Sequence, residues 1–290
     1  MNDIFISPLQ NSKEYKDILS NIENIKGTLL INGLLQPQKP NIVYSLFNDL
    51  KRQVLYIANT DLEAKKVYED LYFYMKDKVD YLSSQDIYFY HLDAKDRNEE
   101  ARKLKVLLRM ISKENTVIVT SVEAILSKYV PKEILKKSIF TYKIGDIIDV
   151  ENLSKKLVNL GYERVSKIEG FGQFSIRGGI IDIFSLEYDT PIRIELFDDE
   201  IESIRTFDVF TQKSIKKIKK CTITPSREYI YPESIDESVE RIKKDTNDFT
   251  DDDVHRNIEN VASSTYFEGV ENYIDYMYTD ENKSIFTYLK

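Results

Sequence analysis

Apolar side chains recur every three or four residues through much of the first 130 positions. Tyr15, Ile18 and Ile22 form one such stripe, and the capping pair Thr60 and Glu63 predicts the start of a further helix. Short apolar runs alternate with these stretches. The predicted strands are 27–33, 53–58 and 116–120, and the predicted helices are 12–26, 42–50, 60–75, 96–112 and 122–129. This alternation indicates an α/β fold with a parallel sheet.

The pattern changes after Pro131, where short runs with a period of two follow one another. One helix is predicted at 151–160, and the predicted strands are 162–168, 172–177, 180–185, 191–197, 200–207 and 218–224. They indicate a second, mainly antiparallel domain that begins near residue 139. Helical patterns return at 234–244 and 261–277, and a strand-like run closes the sequence at 284–290. No turn follows this last run, so we expect the chain to be part of a larger protein.

The strand at 191–197 has two faces of different character. Its period of two puts Ile192, Ile194 and Leu196 on one face, which we expect to lie in the core. Arg193 and Phe197 then lie on the opposite, solvent-facing side. The sequence therefore predicts an exposed aromatic residue beside an arginine.

Arg177 extends this face from a neighbouring strand. It lies on the side opposite Ile176, just before a Gly178-Gly179 pair that permits a bulge or bend. Arginine and aromatic residues are enriched among those that dominate binding energy at protein interfaces. The pattern fits such an interface, and it fits equally an ordinary polar face with one partly covered phenylalanine.

Residues 33–40, GLLQPQKP, have the position and spacing of a phosphate-binding loop between a strand and a helix. The residue types do not fit. Gln38 stands where such a loop needs a glycine, and Pro40 stands where a hydroxyl would bind Mg²⁺. We therefore predict a degenerate loop, with Gly33, Gln38, Lys39 and Pro40 as its remnant, that holds no cofactor.

Composition narrows the function classes. The 290 residues carry a net charge of −8, with 42% hydrophobic and 31% charged residues, which is typical of a globular protein of two or three domains. One cysteine and two distant histidines argue against disulfides and against a metal site. The sequence has neither a long apolar run nor a signal-peptide pattern, so we expect a cytoplasmic protein without membrane contact. The negative charge also argues against broad DNA binding.

The remaining polar groups favour structural interpretations, and we predict no catalytic residue. Asp198, Asp199 and Glu200 lie between two strands and are typical of a polar hairpin turn. His91 follows an aromatic run and is expected to pack at a strand end. Five lysines form a solvated face or contact phosphates, and the solvated face is favoured in so acidic a chain; they are Lys213, Lys216, Lys217, Lys219 and Lys220.

A long run of motifs at 161–214 is that of a known family. The motifs are GYERV at 161–165, GQFSIRGGIIDIF at 172–184, PIRIELFDDEI at 191–201, SIR at 203–205, FD at 207–208 and TQKS at 211–214. With them the chain resembles the amino-terminal part of bacterial transcription-repair coupling factors (Mfd), whose first module is similar to the excinuclease subunit UvrB. Weaker similarity covers 27–145 and YFEGVENY at 266–273.

The resemblance implies a degenerate helicase-like domain 1A at 1–138, a UvrA-binding domain 2 at 139–224 and the start of domain 1B at 225–290. Carried over by position, the contacts to UvrA fall on Arg177, Arg193 and Phe197. RNA polymerase, DNA, ATP and Mg²⁺ are expected to bind only other domains of the parent protein, an ATP-dependent DNA translocase. The chain itself is then a protein-interaction module, without enzymatic activity, that recruits UvrA to stalled RNA polymerase.

Two other functions stay open at this point. The first is a UvrB-type, ATP-dependent subunit that binds damaged DNA. The loop at Gln38 and Pro40 counts against it, and residues 90–116 leave no room for the long hairpin with which UvrB clamps DNA. The second is an α/β enzyme with a small-molecule site, which would need a convergent polar pocket that the sequence does not reveal.

Overall fold

The computed structural model of the chain describes residues 3–24, 27–84, 97–112, 114–232, 234–246, 252–267, 269–279 and 282–289. His91 lies outside these ranges, so its predicted place at a strand end stays a prediction. The chain divides into two compact units, one of residues 1–89, 109–127 and 288–290 and one of residues 90–108 and 128–287.

Helices and a small parallel sheet make up the chain as far as residue 127. The elements are α1 (Asp3–Gln10), α2 (Lys13–Asn24), α3 (Gln38–Leu50), β1 (Val54–Ala58), α4 (Asp61–Met75), β2 (Val79–Leu82), α5 (Arg97–Ser112), β3 (Val117–Ser121) and α6 (Val122–Leu126). The sheet order is β1-β3-β2, and both outer strands run parallel to β3. β3 is the central strand, and all five of its residues are buried, which requires both faces of the sheet to be covered.

The predicted strand at 27–33 is wrong. Residues 28–32 belong to no strand, and Leu30 is exposed over 77% of its surface. An apolar run becomes a strand only where a neighbour completes its backbone hydrogen bonds, and no strand among the described residues pairs with this one. The third strand is instead Val79–Leu82, which was not predicted because it is short and carries the polar residue Asp80.

The chain beyond residue 127 is built around a six-stranded sheet. Its elements are α7 (Lys132–Lys137), β4 (Phe140–Lys143), α8 (Val150–Asn159), β5 (Glu163–Arg164), β6 (Gln173–Arg177), β7 (Ile180–Ile183), β8 (Ile192–Phe197), β9 (Glu200–Phe207), β10 (Ser214–Ile218), β11 (Lys220–Ile223), α9 (Ile235–Thr246), α10 (Asp252–Ala262) and α11 (Ile274–Met277). The order is β10-β9-β8-β7-β6-β5, antiparallel except between β5 and β6, and β11 pairs separately with β4. The predicted fold class, α/β with a mainly antiparallel α+β part, is confirmed.

One face of the six-stranded sheet forms the core of this part of the chain. Leu153 and Leu157 of α8 pack in one cluster with the inward residues of β6 to β9, among them Ile181 and Ile194, which are fully buried. Aliphatic residues repeat every second position along these strands, and so a continuous apolar surface results. The opposite face is the one that carries the polar residues singled out from the sequence.

Three predicted elements differ from the structure in the second half. Only Glu163–Arg164 of the predicted strand at 162–168 pairs with a neighbour. The helical pattern at 261–277 is interrupted, because Ser264 and Gly269 adopt positive φ angles of 52° and 88°. The last run is a 3₁₀ helix at Ile285–Tyr288, whose first and last residues are buried three positions apart, as that helix requires.

Candidate functional site

Arg177 and Phe197 lie at the same end of the six-stranded sheet. Arg177 is the last residue of β6 and Phe197 the last of β8, and each precedes a two-residue hairpin turn. Because β6 and β8 run in the same direction, these turns are neighbours: the Leu196 N–H donates to the Gly179 carbonyl at 2.7 Å. The topology thus brings the two residues together at one end of the strands, on the outer face of the sheet.

The glycine pair forms a tight hairpin turn and not the bulge or bend that the sequence allowed. Gly178 has a φ of +58°, in the left-handed region, and a Cβ on Gly179 would lie 3.0 Å from the Leu196 carbonyl oxygen. Asp198 likewise has a positive φ of 55° in the turn after Phe197. The predicted polar hairpin at 198–200 is confirmed.

Phe197 is exposed over 72% of its surface. On the opposite side of the same strand Ile192 and Ile194 are fully buried, and Leu196 is partly buried against the core. The predicted register of the strand is confirmed, because a slip of one residue would have reversed every one of these positions.

Arg193 lies on the predicted face, but it is not the exposed arginine that the sequence led us to expect. Its side chain is only 13% exposed. Nε and Nη2 donate to the two oxygens of Asp182 at 2.6 and 2.8 Å, and Nη2 also donates to Gln212 Oε1 at 3.2 Å. The hydrogen bonds to Asp182 raise the pKa of Arg193 above its ordinary value. Cross-strand pairing of Asp182 with Arg193 accounts for this burial.

Asp182 connects the two arginines. Its side chain is 2% exposed, and its Oδ2 accepts from Arg177 Nη2 at 2.9 Å in addition to the Arg193 bonds. The side chain of Arg177 remains 51% exposed. Asp182 was not predicted from the sequence, although its position between Ile181 and Ile183 places it on the polar face by the same alternation.

A second carboxylate on this face is also paired. Glu195 accepts from Arg205 Nη1 at 2.9 Å and from the Ser203 hydroxyl at 2.6 Å. It lies on β8 two positions after Arg193. The outer face thus carries two adjacent carboxylate–guanidinium clusters that hold its polar side chains in place.

Ile147 adds apolar surface near Phe197. It forms an isolated antiparallel bridge with Glu200, the residue that pairs with Phe197, and it is 70% exposed. Paired residues in antiparallel strands point to the same face, so the two apolar side chains share this one. Nothing in the sequence around Ile147 distinguished it, since it lies in a loop with no periodic pattern.

The lysine cluster lies along the edge strand β10 and the start of β11. All five side chains are exposed, as a solvated face requires. Lysines on an edge strand discourage pairing with other strands.

The loop at 33–40 is held by a side-chain contact of its own and by contacts with Glu63 of α4. Gln38 Oε1 accepts from the Leu35 N–H at 2.9 Å, and Gln36 Nε2 donates to Glu63 Oε1 at 2.9 Å. The ammonium of Lys39 lies 3.7 Å from the same Glu63 oxygen. A backbone donor and the lysine of this loop therefore already have acceptors within the chain.

Within the described ranges, no group of three or more metal-binding side chains comes together. In the same ranges, no helix combines the length and hydropathy that a membrane span requires.

Known proteins resemble this chain both in one domain and over most of its length. The UvrB interaction domain family matches residues 140–229, which include the whole outer face. The chain is 32% identical to the transcription-repair-coupling factor of Bacillus subtilis (strain 168) over 241 residues, 81% of this chain and 20% of the relative. It is 31% identical to that of Staphylococcus epidermidis (strain ATCC 12228 / FDA PCI 1200) over 239 residues, 82% of this chain and 20% of the relative.

A third relative covers more of the chain. The transcription-repair-coupling factor of Staphylococcus haemolyticus (strain JCSC1435) is 29% identical over 269 residues, 92% of this chain and 23% of the relative. The chain thus spans about a fifth of the length of these relatives. Residues 140–229 thus match the UvrB interaction domain family, and the chain is similar over most of its length to part of transcription-repair-coupling factors.

Proposed function

We propose that this chain is the module of a transcription-repair coupling factor that binds UvrA and recruits it to stalled RNA polymerase. The observation that carries the proposal is the pair formed by Phe197, exposed over 72% of its surface, and the half-exposed Arg177 at one end of a UvrB interaction domain. RNA polymerase and DNA are proposed to bind other parts of the parent protein.

The chemistry of the surface formed by Arg177 and Phe197 suits a protein partner. A large exposed aromatic side chain contributes favourable binding free energy when a partner covers it, because its apolar surface is then removed from water. Arg177 offers guanidinium donors beside it, which recognise a carboxylate or a carbonyl group. A partner surface with an apolar pocket next to an acidic residue fits both.

We further propose that the chain is not an enzyme and binds neither ATP nor Mg²⁺. Support comes from Gln38 and Pro40, which replace the glycine and the hydroxyl of a phosphate-binding loop, and from the contacts that occupy the Leu35 N–H and Lys39. The same residues disfavour the UvrB-type alternative. The cytoplasm, where both proposed partners act, is its proposed compartment.

A pull-down with immobilised, purified UvrA tests the function. We expect the chain to be retained and the variant with Arg177→Ala and Phe197→Ala to be lost. Equal retention of both proteins, or of neither, would contradict the proposed surface or the proposed partner.

A further inference from the structure

We propose that Asp182 and Arg193 form a positioning pair that fixes the guanidinium of Arg177 for the partner. Arg177 then contacts the partner directly, whereas Arg193 acts indirectly by holding Asp182 in place. This inference rests on the proposed UvrA binding and goes beyond it by giving the two arginines different roles.

The roles follow from burial. The side chain of Arg193 is 13% exposed, and its Nε and Nη2 both donate hydrogen bonds to Asp182. Little of its surface is therefore left for a partner. Arg177 is 51% exposed and donates a single hydrogen bond to Asp182. A guanidinium has five N–H donors, so most of those on Arg177 stay available to an acceptor on the partner.

Asp182 is suited to hold Arg177 because it is itself immobile. The carboxylate is 2% exposed, and Arg193 holds both of its oxygens at 2.6 and 2.8 Å. Bidentate pairs of this kind fix orientation as well as position. Arg177 therefore docks on a fixed acceptor at 2.9 Å and loses less side-chain freedom when a partner binds.

The position of Arg177 explains why it needs this support. It is the last residue of β6, next to the turn at Gly178, so the strand does not continue beyond its side chain. An unsupported arginine there would sample many rotamers, and a partner would have to order it on binding, which weakens the complex. Asp182 supplies the fixed contact from the adjacent strand β7.

A double-mutant cycle on UvrA affinity separates positioning from direct contact. We compare the wild-type chain with Arg177→Ala, with Asp182→Asn and with both changes together. If Asp182 acts through Arg177, each single change weakens binding about tenfold, and the double variant binds within about twofold of Arg177→Ala. Unchanged affinity for Asp182→Asn, or independent losses that multiply in the double variant, would overturn the proposal.

Glu151→Gln is the matched control, since this carboxylate is 81% exposed and pairs with Lys155 at 2.7 Å on the surface of α8. The same loss of charge there should leave the affinity unchanged. A fall in affinity equal to that of Asp182→Asn would mean that net charge, not positioning, is responsible, and the proposal would fail.

NMR of the arginine side chains in the free wild-type chain keeps the inference testable if Asp182→Asn does not fold. We expect the Arg177 Nε–H group to be restricted on the nanosecond timescale, in contrast to the exposed Arg52. Equal mobility of the two groups would overturn the inference. Absence of UvrA binding by the wild-type chain would instead refute the proposed function, while the NMR result still decides whether the Arg177 side chain is held in place in the free chain.

Discussion

The guanidinium carbon of Arg193 lies 4.3 Å from the centre of the Phe207 ring. Phe207 is fully buried on the outer side of β9, so Arg193 covers an aromatic face and neutralises Asp182 with the same planar group. Arg193 is therefore a structural residue of the sheet, as its proposed positioning role requires.

Arg193→Ala should destabilise the chain. The change leaves the buried Asp182 without its bidentate partner and uncovers Phe207, and breaking such a pair typically costs about 3 kcal/mol. Urea denaturation measures the loss. Lys155→Ala, which removes an exposed pair partner, should cost less than about 0.5 kcal/mol, and equal costs for both variants would contradict the structural role of Arg193.

Arg177→Ala should weaken UvrA binding about tenfold and leave the free energy of unfolding within about 0.5 kcal/mol of the wild type. The side chain is half exposed, and Arg193 still neutralises Asp182 when Arg177 is absent. Arg177→Glu should bind more weakly than Arg177→Ala, because a carboxylate at this site repels an acidic partner. Calorimetry of the complex checks both, and tighter binding of the glutamate variant would show that the partner surface is not acidic.

The chain should not bind ATP. Gln38 and Pro40 remove a flexible backbone position and the Mg²⁺-binding hydroxyl, and Lys39 lies beside Glu63. Titration with Mg²⁺-ATP up to about 1 mM should give no saturable heat. A dissociation constant in the micromolar range would show that the loop works despite its sequence.

The thiol of Cys221 should be unreactive in the folded chain. Burial raises its pKa to about 12, and the residue is fully buried in the core below the sheet. A thiol reagent at pH 8 should therefore label it only after urea unfolds the protein. Labelling of the native protein at the rate of a free thiol would contradict the packing of β11.

The same thiol gives a dependence of stability on pH. Unfolded cysteine ionises near pH 8.5, whereas the folded thiol stays protonated to about 12, so the folded state holds the extra proton between these values. The free energy of unfolding should then fall by roughly 1 kcal/mol between pH 8.5 and 9.5. The free energy of unfolding of Cys221→Ala should lack this part of the decrease. An identical dependence on pH for both proteins would contradict the raised pKa of the thiol.

Alternation along the chain was sufficient to predict the outer face. The inward position of Ile192 and Ile194 and the exposure of Phe197 follow from a period of two, which sheet geometry imposes on any strand with one buried face. The burial of Arg193 could not be read in the same way. It depends on which residue lies across from it on the neighbouring strand, and that register appears only when the chain is folded.

The contact between Asp182 and Arg177 could not be predicted from the sequence. A two-residue turn at Gly178-Gly179 sets Arg177 opposite Ile180, and so Ser175 opposite Asp182, but the sequence allowed a bulge there as well. The missing strand at 27–33 has a related cause. Whether an apolar run pairs depends on a partner strand elsewhere in the chain, which local pattern does not specify.

The affinity of UvrA for the wild-type chain, for Phe197→Ala and for Phe210→Ala decides the function. Phe210 is the control because it is 89% exposed on the loop after β9, away from the turn that follows Phe197. We expect the Phe197 variant to bind about thirtyfold more weakly at unchanged stability, and the Phe210 variant to bind like the wild type. Equal binding by all three proteins, or no binding by the wild type, would contradict a UvrA-binding surface centred on Arg177 and Phe197.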